Sequence, residues 1–376
     1  MDELRKLRDE IDVTDQEIVR LFEKRMRLVE DVAQYKIRTG KKVLDPGREA
    51  EKLQTLGARA SSDFNRTGVQ EVFRQMMAIS RKRQYQLLLE KGLQSIPSYT
   101  QCESFDYTGA KVVFQGVEGA YSFAAMKAFF DPSIKSTHVA TWREAFEMVV
   151  DGRADYAVLP IENSTAGSVS DIYDLMINYP VSIIGEQIIP IDHVLMGLPG
   201  TVLSGIRKVY SHPQALAQCR KYLEQHPEWK TEPLLNTAIA AKKVAEDRDF
   251  TQAAIASRTA AKYFGLEILA SEGLSEQHNQ TRFIIISGTN CYRKDAKHIS
   301  ICFELPHKIG TLYNILSHFI FNDLNMTHIE SRPIPDRGWE YRFFVDFDGN
   351  LGDSGVQNAL TGIQAETADL RVLGNY

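Results

Sequence analysis

Apolar residues recur at alternating steps of three and four between residues 4 and 38. Leu4, Leu7, Ile11, Thr14, Ile18, Leu21, Arg25, Leu28, Val32 and Tyr35 occupy this stripe, the period of a helix that packs along one seam. Neither Pro nor Gly interrupts it before Gly40. The pattern predicts one helix about 50 Å long at 1.5 Å per residue. A helix of that length outruns a lone compact domain, so it is expected to lie against a copy of itself or another long partner. After a loop over 41–47, two further helices are predicted over about 48–58 and about 68–93. Residues 1–93 are therefore read as an all-helical unit.

Residues 94–108 (QSIPSYTQCESFDYT) are polar, contain a Pro and show no period, which reads as a linker. The apolar runs then shorten. Those at 111–114, 156–161, 206–210, 253–256 and 282–286 alternate with helical stretches such as 122–130 and 142–150. That is the rhythm of α/β units around mainly parallel sheets. The 109–288 unit is long enough for two lobes with a cleft between them. From about residue 298 the predicted order is strand 299–304, helix 310–321, strands 325–332 and 340–348, helix 354–367 and strand 370–373. This βαββαβ order predicts a small ferredoxin-like sandwich over 297–376.

Composition narrows the function. A chain of 376 residues suits two or three domains at roughly 150 residues each, and 43% hydrophobic with 25% charged residues is ordinary for folded proteins. The net charge of −5 is uneven: residues 1–91 hold 20 Lys+Arg against 16 Asp+Glu, and the remainder holds 24 against 33. The basic first unit suits a small anionic ligand. No dense Lys/Arg block with interleaved aromatics appears, which sets nucleic acid aside. Cys102, Cys219, Cys291 and Cys302 are scattered without paired spacing, as in a reduced cytosolic protein, not a disulfide frame or zinc site. The start, MDELRKLRDE, is charged from its second residue, unlike a signal peptide. No run of about 18 apolar residues would span a membrane. A cytoplasmic protein is expected, with no membrane partner and no metal.

Arg25 stands where the seam calls for an apolar side chain. A buried guanidinium costs several kcal/mol unless paired, so either a neighbouring Glu or an anionic ligand should meet it. Lys36 lies eleven residues on and returns to nearly the same face. Arg8 is about 25 Å from Arg25 along the axis, beyond the reach of one small ligand. If all three serve one ligand, Arg8 comes from a second chain, so the long helix and the displaced cation together predict an interlocked dimer. The loop and second helix add Asp45, Arg48 and Glu49, and Ser80 and Gln84 sit at i, i+4 on one face of the third helix. Together these eight positions resemble the all-helical chorismate mutases, over about residues 1–90. The resemblance implies that Arg8, Arg25 and Arg48 clamp the two carboxylates of chorismate. Lys36 and Gln84 would face the ether oxygen, Glu49 with Ser80 would hold the ring hydroxyl, and Asp45 would orient its neighbours. A pericyclic shift to prephenate needs no cofactor, only a held conformer and stabilised charge.

In the α/β unit, Gln115-Gly-Val-Glu-Gly-Ala-Tyr-Ser122 follows a strand and opens a helix, as strand–helix turns often do for backbone reasons. Asn163 and Thr165, in Pro160-Ile-Glu-Asn-Ser-Thr-Ala-Gly167, are placed either to line a cleft or to cap the helix at Ser170. Tyr210-Ser-His-Pro-Gln214 puts Ser211 at an expected N-cap, with Gln218 about a turn further. Asn279-Gln-Thr-Arg-Phe283 enters a strand and resembles the Thr-Arg-Phe signature of prephenate dehydratases, whose other stretches occur in order over 110–287. The first loop departs from that family, which usually has Pro after the first Gly. The resemblance implies that Thr281 donates to the departing ring hydroxyl of prephenate, while Asn163, Thr165, Ser211 and Gln218 position the substrate. Arg282 either binds a carboxylate or braces the strand. It also implies a two-lobed, periplasmic-binding-protein-like fold.

His307-Lys-Ile-Gly-Thr-Leu-Tyr-Asn314 and Asn325-Met-Thr-His-Ile-Glu-Ser-Arg-Pro333 resemble the amino-acid-binding ACT domain of phenylalanine-sensitive dehydratases. That implies a phenylalanine site between two such domains, at Gly310, Thr311, Leu312, Asn325, Glu330 and Ser331. The whole chain thus resembles fused mutase–dehydratases that turn chorismate into prephenate and then phenylpyruvate under feedback by phenylalanine. A homodimer is expected, with pairing into tetramers left open. Two other readings remain: a ligand-binding regulator without chemistry, and a chain whose mutase alone is active.

Overall fold

In the computed structural model, which describes residues 2–93, 99–131, 133–274 and 279–376, the long seam forms a single helix, α1 (Asp2–Thr39). It stops at Gly40, whose φ of +68° suits glycine, after a last turn carrying Lys36 and Arg38 near the negative end of the helix dipole. Asp45 caps α2 (Pro46–Gly57) by accepting from Arg48 N at 3.1 Å, and Pro46 occupies the first turn, where its missing N–H costs nothing. α3 (Asp63–Glu90) begins five residues earlier than the periodicity predicts. Ser62 caps it by accepting from Asn65 N at 3.1 Å, so Gly68 lies inside the helix, at about 1 kcal/mol relative to Ala.

α1 and α2 both pack on α3, burying Val29, Ala33, Met77, Ala78, Tyr85 and Leu87. The seam of α1 remains open to solvent along most of its length: Leu7 is 53% exposed, Ile18 50% and Val32 45%.

The chain gathers into two compact units, Met1–Ser98 with Ile301–Val372, and Tyr99–Ser300 with Leu373–Tyr376. The C-terminal part shows the expected βαββαβ order: strand His298–Leu305, helix Thr311–Phe321, strands Met326–Pro333 and Tyr341–Asp348, helix Ser354–Glu366 and strand Ala368–Asn375. Across the sheet these strands run second, third, first, fourth. Its helices meet α3 within the first unit. Gln75 Nε2 donates to Tyr313 OH at 2.9 Å, Lys82 Nζ to Ser317 Oγ at 2.8 Å, and Arg81 Nε to Glu366 Oε1 at 2.7 Å.

The second unit has two lobes, each built on a run of five paired strands. In the first the order is Ser182–Pro190, Gln280–Ser287, Tyr156–Asn163, Lys111–Gln115, Lys135–Val139. In the second it is Glu267–Ala270, His193–Gly197, Gln252–Ser257, Lys208–Ser211, Lys230–Pro233. Both sheets are mixed, which corrects the expectation of mainly parallel ones. Strand Gln280–Ser287 returns from the second lobe and slots between Tyr156–Asn163 and Ser182–Pro190, antiparallel to both. The chain crosses between lobes after Pro190 and again before Gln280, and Ile191 N donates to Asn279 O at 2.8 Å where the crossings meet. Helices on the sheet faces close the cores around Phe114, Met126 and Ile285 in one lobe and Ala240, Val244 and Ala254 in the other.

Of the stretch read as a linker, 94–98 lie outside the described residues. Thr100–Cys102 form a strand parallel to Cys291–Arg293, and Tyr107 packs edge-on against Phe129 and Phe130. Among the described residues no helix is long and apolar enough to cross a membrane.

Candidate active sites

The helical site is built where α1, α2 and α3 meet. Arg25, half-buried, donates through Nη1 to Met76 O at 3.1 Å and to the Ser80 hydroxyl, which itself donates to Met76 O at 2.6 Å. Burial lowers the pKa of Arg25, against the pull of Glu49. One turn on, Gln84 donates through Nε2 to Ser80 O at 3.1 Å, and its buried Oε1 has no partner among the described residues. Lys36 Nζ donates to Val43 O at 2.7 Å. Burial lowers its pKa, and Asp45 and Glu49 partly offset this.

The structure thus brings Arg25, Ser80 and Gln84 together, with Lys36 in the field of Asp45 and Glu49. Arg48 is exposed and engages Asp45 only through its backbone N–H. Arg8 is exposed on α1, far from Arg25.

Sequence reasoning missed Arg81 and Lys82. Both are buried, at 6% and 3% exposure. Arg81 Nη1 reaches both oxygens of Glu49 at 2.7 and 2.8 Å, while its Nε reaches Glu366, which also lies 3.4 Å from His318 Nε2. The signal was available, because Arg81 falls four residues from Met77 and from Tyr85 in the apolar stripe of α3, the same displacement that marks Arg25.

The cleft site lies between the lobes. Thr281 and Asn163 are direct partners on antiparallel strands. Asn163 Nδ2 donates to Thr281 Oγ1 at 2.9 Å and to Asn279 Oδ1 at 2.8 Å. Its Oδ1 accepts from Thr165 N, Thr165 Oγ1 and Ala166 N, at 3.1, 2.9 and 2.9 Å. Neither Asn163 nor Thr165 caps the Ser170 helix, whose N-cap is Val169. From the second lobe, Gln218 Nε2 donates to Thr165 Oγ1 at 3.2 Å. Behind Gln218 stand two residues that the sequence did not single out: His193 Nε2 is 3.0 Å from Gln218 Oε1, and Tyr121 OH is 2.9 Å from His193 Nδ1. His193 opens a strand of apolar residues and is 3% exposed, so by sequence it is indistinguishable from a core histidine. Burial lowers its pKa.

Ser211 is not an N-cap. Pro213 begins the helix, so His212 takes the capping place, accepting from Gln214 N at 3.2 Å. Ser211 ends the preceding strand, fully buried, and donates to Ile255 O at 2.6 Å. Arg282 stands 3.5 Å from a carboxylate oxygen of Glu162 and of Glu186.

In the C-terminal part, Gly310 has φ +80° and is the N-cap of the helix that Thr311 and Leu312 begin. Thr311 Oγ1 donates to Lys308 O at 3.0 Å. Asn325 Nδ2 donates to Asp348 Oδ2 at 2.8 Å, and Glu330 and Ser331 lie on the strand Met326–Pro333 opposite Phe344 and Phe343.

A cationic helical site and a neutral, hydrogen-bonding cleft on one chain define an enzyme with two active sites. The prephenate dehydratase family pattern matches residues 112–290, and that of chorismate mutase type II matches residues 7–85. The bifunctional chorismate mutase/prephenate dehydratase of Escherichia coli (strain K12) is 32% identical over 379 residues, covering 98% of this chain and 95% of that protein. Among solved structures, prephenate dehydratase from Arthrobacter aurescens in complex with L-Phe is 33% identical, covers 71% of this chain and 89% of its own, and has a TM-score of 0.65. GqqA, described as a novel type of quorum quenching acylase, is 31% identical, with 70% of this chain and 96% of its own covered and a TM-score of 0.63. This chain belongs to the family of bifunctional chorismate mutase/prephenate dehydratases.

Proposed function

We propose that the chain makes phenylpyruvate from chorismate at two sites, through prephenate, and that phenylalanine restrains it. The proposed division is a mutase domain over 1–93, a connecting stretch over 94–108, a dehydratase domain over 109–288 and an ACT domain over 297–376. In the mutase, Arg25, Arg48 and Arg8 clamp the two carboxylates of chorismate, with Arg8 supplied by a second copy. Lys36 and Gln84 donate to the ether oxygen as its bond breaks, Glu49 and Ser80 hold the ring hydroxyl, and Asp45 fixes the start of α2. The exposed seam of α1 supports a homodimer, because a stripe of half-exposed Leu, Ile and Val from Leu4 to Val32, about eight turns, fits a second identical helix. A cytoplasmic enzyme fits the four unpaired cysteines.

The observation that carries the dehydratase reading is the Asn163–Thr281 hydrogen bond. With Asn163 donating into Oγ1, the hydroxyl proton of Thr281 is left to point at the substrate. As the bond from the ring to its carboxylate breaks, carbon dioxide leaves and the electron pair enters the ring. The C–O bond to the ring hydroxyl breaks with it, and that oxygen departs as water, taking up one proton that comes from solvent. A threonine is a weak acid, so its contribution is a hydrogen bond that strengthens as charge builds on the leaving oxygen. Asn163, Thr165 and Gln218 position prephenate, Ser211, buried and tied to Ile255 O, supports the strand behind them, and Arg282, between two carboxylates, braces its own strand. Phenylalanine binds the C-terminal part near Gly310, Thr311, Leu312, Asn325, Glu330 and Ser331, and shifts activity only insofar as it binds one arrangement better than another.

The test is to supply purified protein with chorismate and follow phenylpyruvate with and without phenylalanine. Phenylpyruvate that falls with added phenylalanine is the expected result. Prephenate accumulating without phenylpyruvate would overturn the reading of Thr281.

A further inference from the structure

We propose that His193 and Tyr121 are positioning residues for dehydration: they set the direction of a hydrogen-bond chain, running through Gln218, Thr165 and Asn163, that ends on the hydroxyl of Thr281.

The direction can be worked out from Asn163, whose amide is fixed by backbone. Two backbone N–H groups, of Thr165 and Ala166, point at one end, so that end is Oδ1 and the end facing Thr281 is Nδ2. Thr165 Oγ1 lies 2.9 Å from this Oδ1 and 3.4 Å from Asn279 Oδ1. Both neighbours are acceptors, so the single proton of Thr165 is committed to them. Toward Gln218, then, Thr165 can only accept. That turns the Gln218 amine toward Thr165 and its Oε1 toward His193. To meet an acceptor, His193 Nε2 must carry the proton. The ring is neutral, as its burial requires, so Nδ1 is bare and accepts from Tyr121 OH. Every link now has one donor and one acceptor, and each points toward Thr281.

The opposite tautomer would break this order. A bare Nε2 would invite the Gln218 amine and turn Oε1 onto Thr165, which would then have two sets of acceptors for one proton. In the Nε2–H tautomer the bare Nδ1 gives the Tyr121 hydroxyl proton its acceptor. The chain also passes between lobes twice, from Tyr121 to His193 and from Gln218 to Thr165. The aim of the Thr281 hydroxyl therefore depends on residues of both lobes that need not touch the substrate.

The inference rests on Thr281 as the donor, and the variants separate the two claims. His193→Phe keeps a ring but supplies no donor, whereas His193→Gln offers an amide N–H in the place of Nε2. The expected result is a fall in kcat for dehydration of about 10–100-fold in His193→Phe with KM little changed, the signature of an interaction felt in the transition state. His193→Gln should recover most of it. Tyr121→Phe should give a smaller loss, and it carries the test if His193→Phe does not fold. In the unaltered protein, nitrogen-15 NMR of the His193 ring should find the proton on Nε2. A proton on Nδ1, or equal activity of His193→Phe and His193→Gln, overturns the inference. If Thr281→Val retains dehydration, the Thr281 reading falls first. If Thr281→Val is inactive while His193→Phe keeps full rate, only the chain is wrong.

Discussion

Asn163 Nδ2 and Thr281 Oγ1 stand 2.9 Å apart on paired antiparallel strands. An isosteric change therefore has a sharp expected outcome. Thr281→Val removes the hydroxyl with little loss of volume and should lower dehydration about 10²–10³-fold. Asn163→Asp can no longer donate to Oγ1 and should cost a similar amount. Rearrangement of chorismate by the same molecules, read as prephenate formed, should not change.

The half-exposed seam of α1 predicts that Ile18→Glu turns the protein into a monomer. Sedimentation would show this directly. Chorismate rearrangement should then be lost with Arg8 of the second copy, while dehydration of added prephenate persists. Full rearrangement activity in a monomer would remove Arg8 from the site.

In the proposed mutase site Lys36 acts on the ether oxygen only while it carries its proton, and burial lowers its pKa. The mutase rate should therefore decline with rising pH before an ordinary lysine would lose its charge. Lys36→Arg, which stays protonated, should move that limb to higher pH. The measurement is kcat against pH for chorismate rearrangement.

Glu366 and Lys82 both make the stability of the first unit rise with pH, in two separate windows. Burial raises the Glu366 carboxyl, but His318 and Arg81 outweigh it and bring its pKa to about 2, from 4.5. Its contribution is present above pH 4.5 and is lost as pH falls toward 2. Burial brings Lys82 to about 8, from 10.5, against the pull of Glu366. The unfolded chain binds this proton more tightly, so stability rises between pH 8 and 10.5. Glu366→Ala leaves Arg81 with Glu49 alone and should cost about 3–5 kcal/mol. Urea midpoints for the helical signal, taken across pH, measure both.

The long helix, the three-part order of elements and the βαββαβ run were legible because each rests on local periodicity. The strand directions in the lobes were not. Gln280–Ser287 finds its place through pairing with strands about 100 and 120 residues earlier, which no local pattern records. Thr281 and Asn163 could be singled out as motif residues, but their adjacency needed the fold. His193 gave no signal, since an isolated histidine beside Val194 and Leu195 is most often packing. Arg81 did give one. Its partner Glu366 lies 285 residues away, and only the fold could name it.

The first unit joins the earliest part of the chain to residues 301–372. During synthesis α3 leaves the ribosome with Lys82, and the edge of Arg81 that Glu49 does not cover, on a face whose partners are not yet made. Glu366 and Ser317 are made more than 230 residues later. At roughly 5–20 residues per second, that face waits on the order of ten seconds or more for its counterpart. Two cations on it keep it soluble meanwhile, where a leucine pair would invite aggregation.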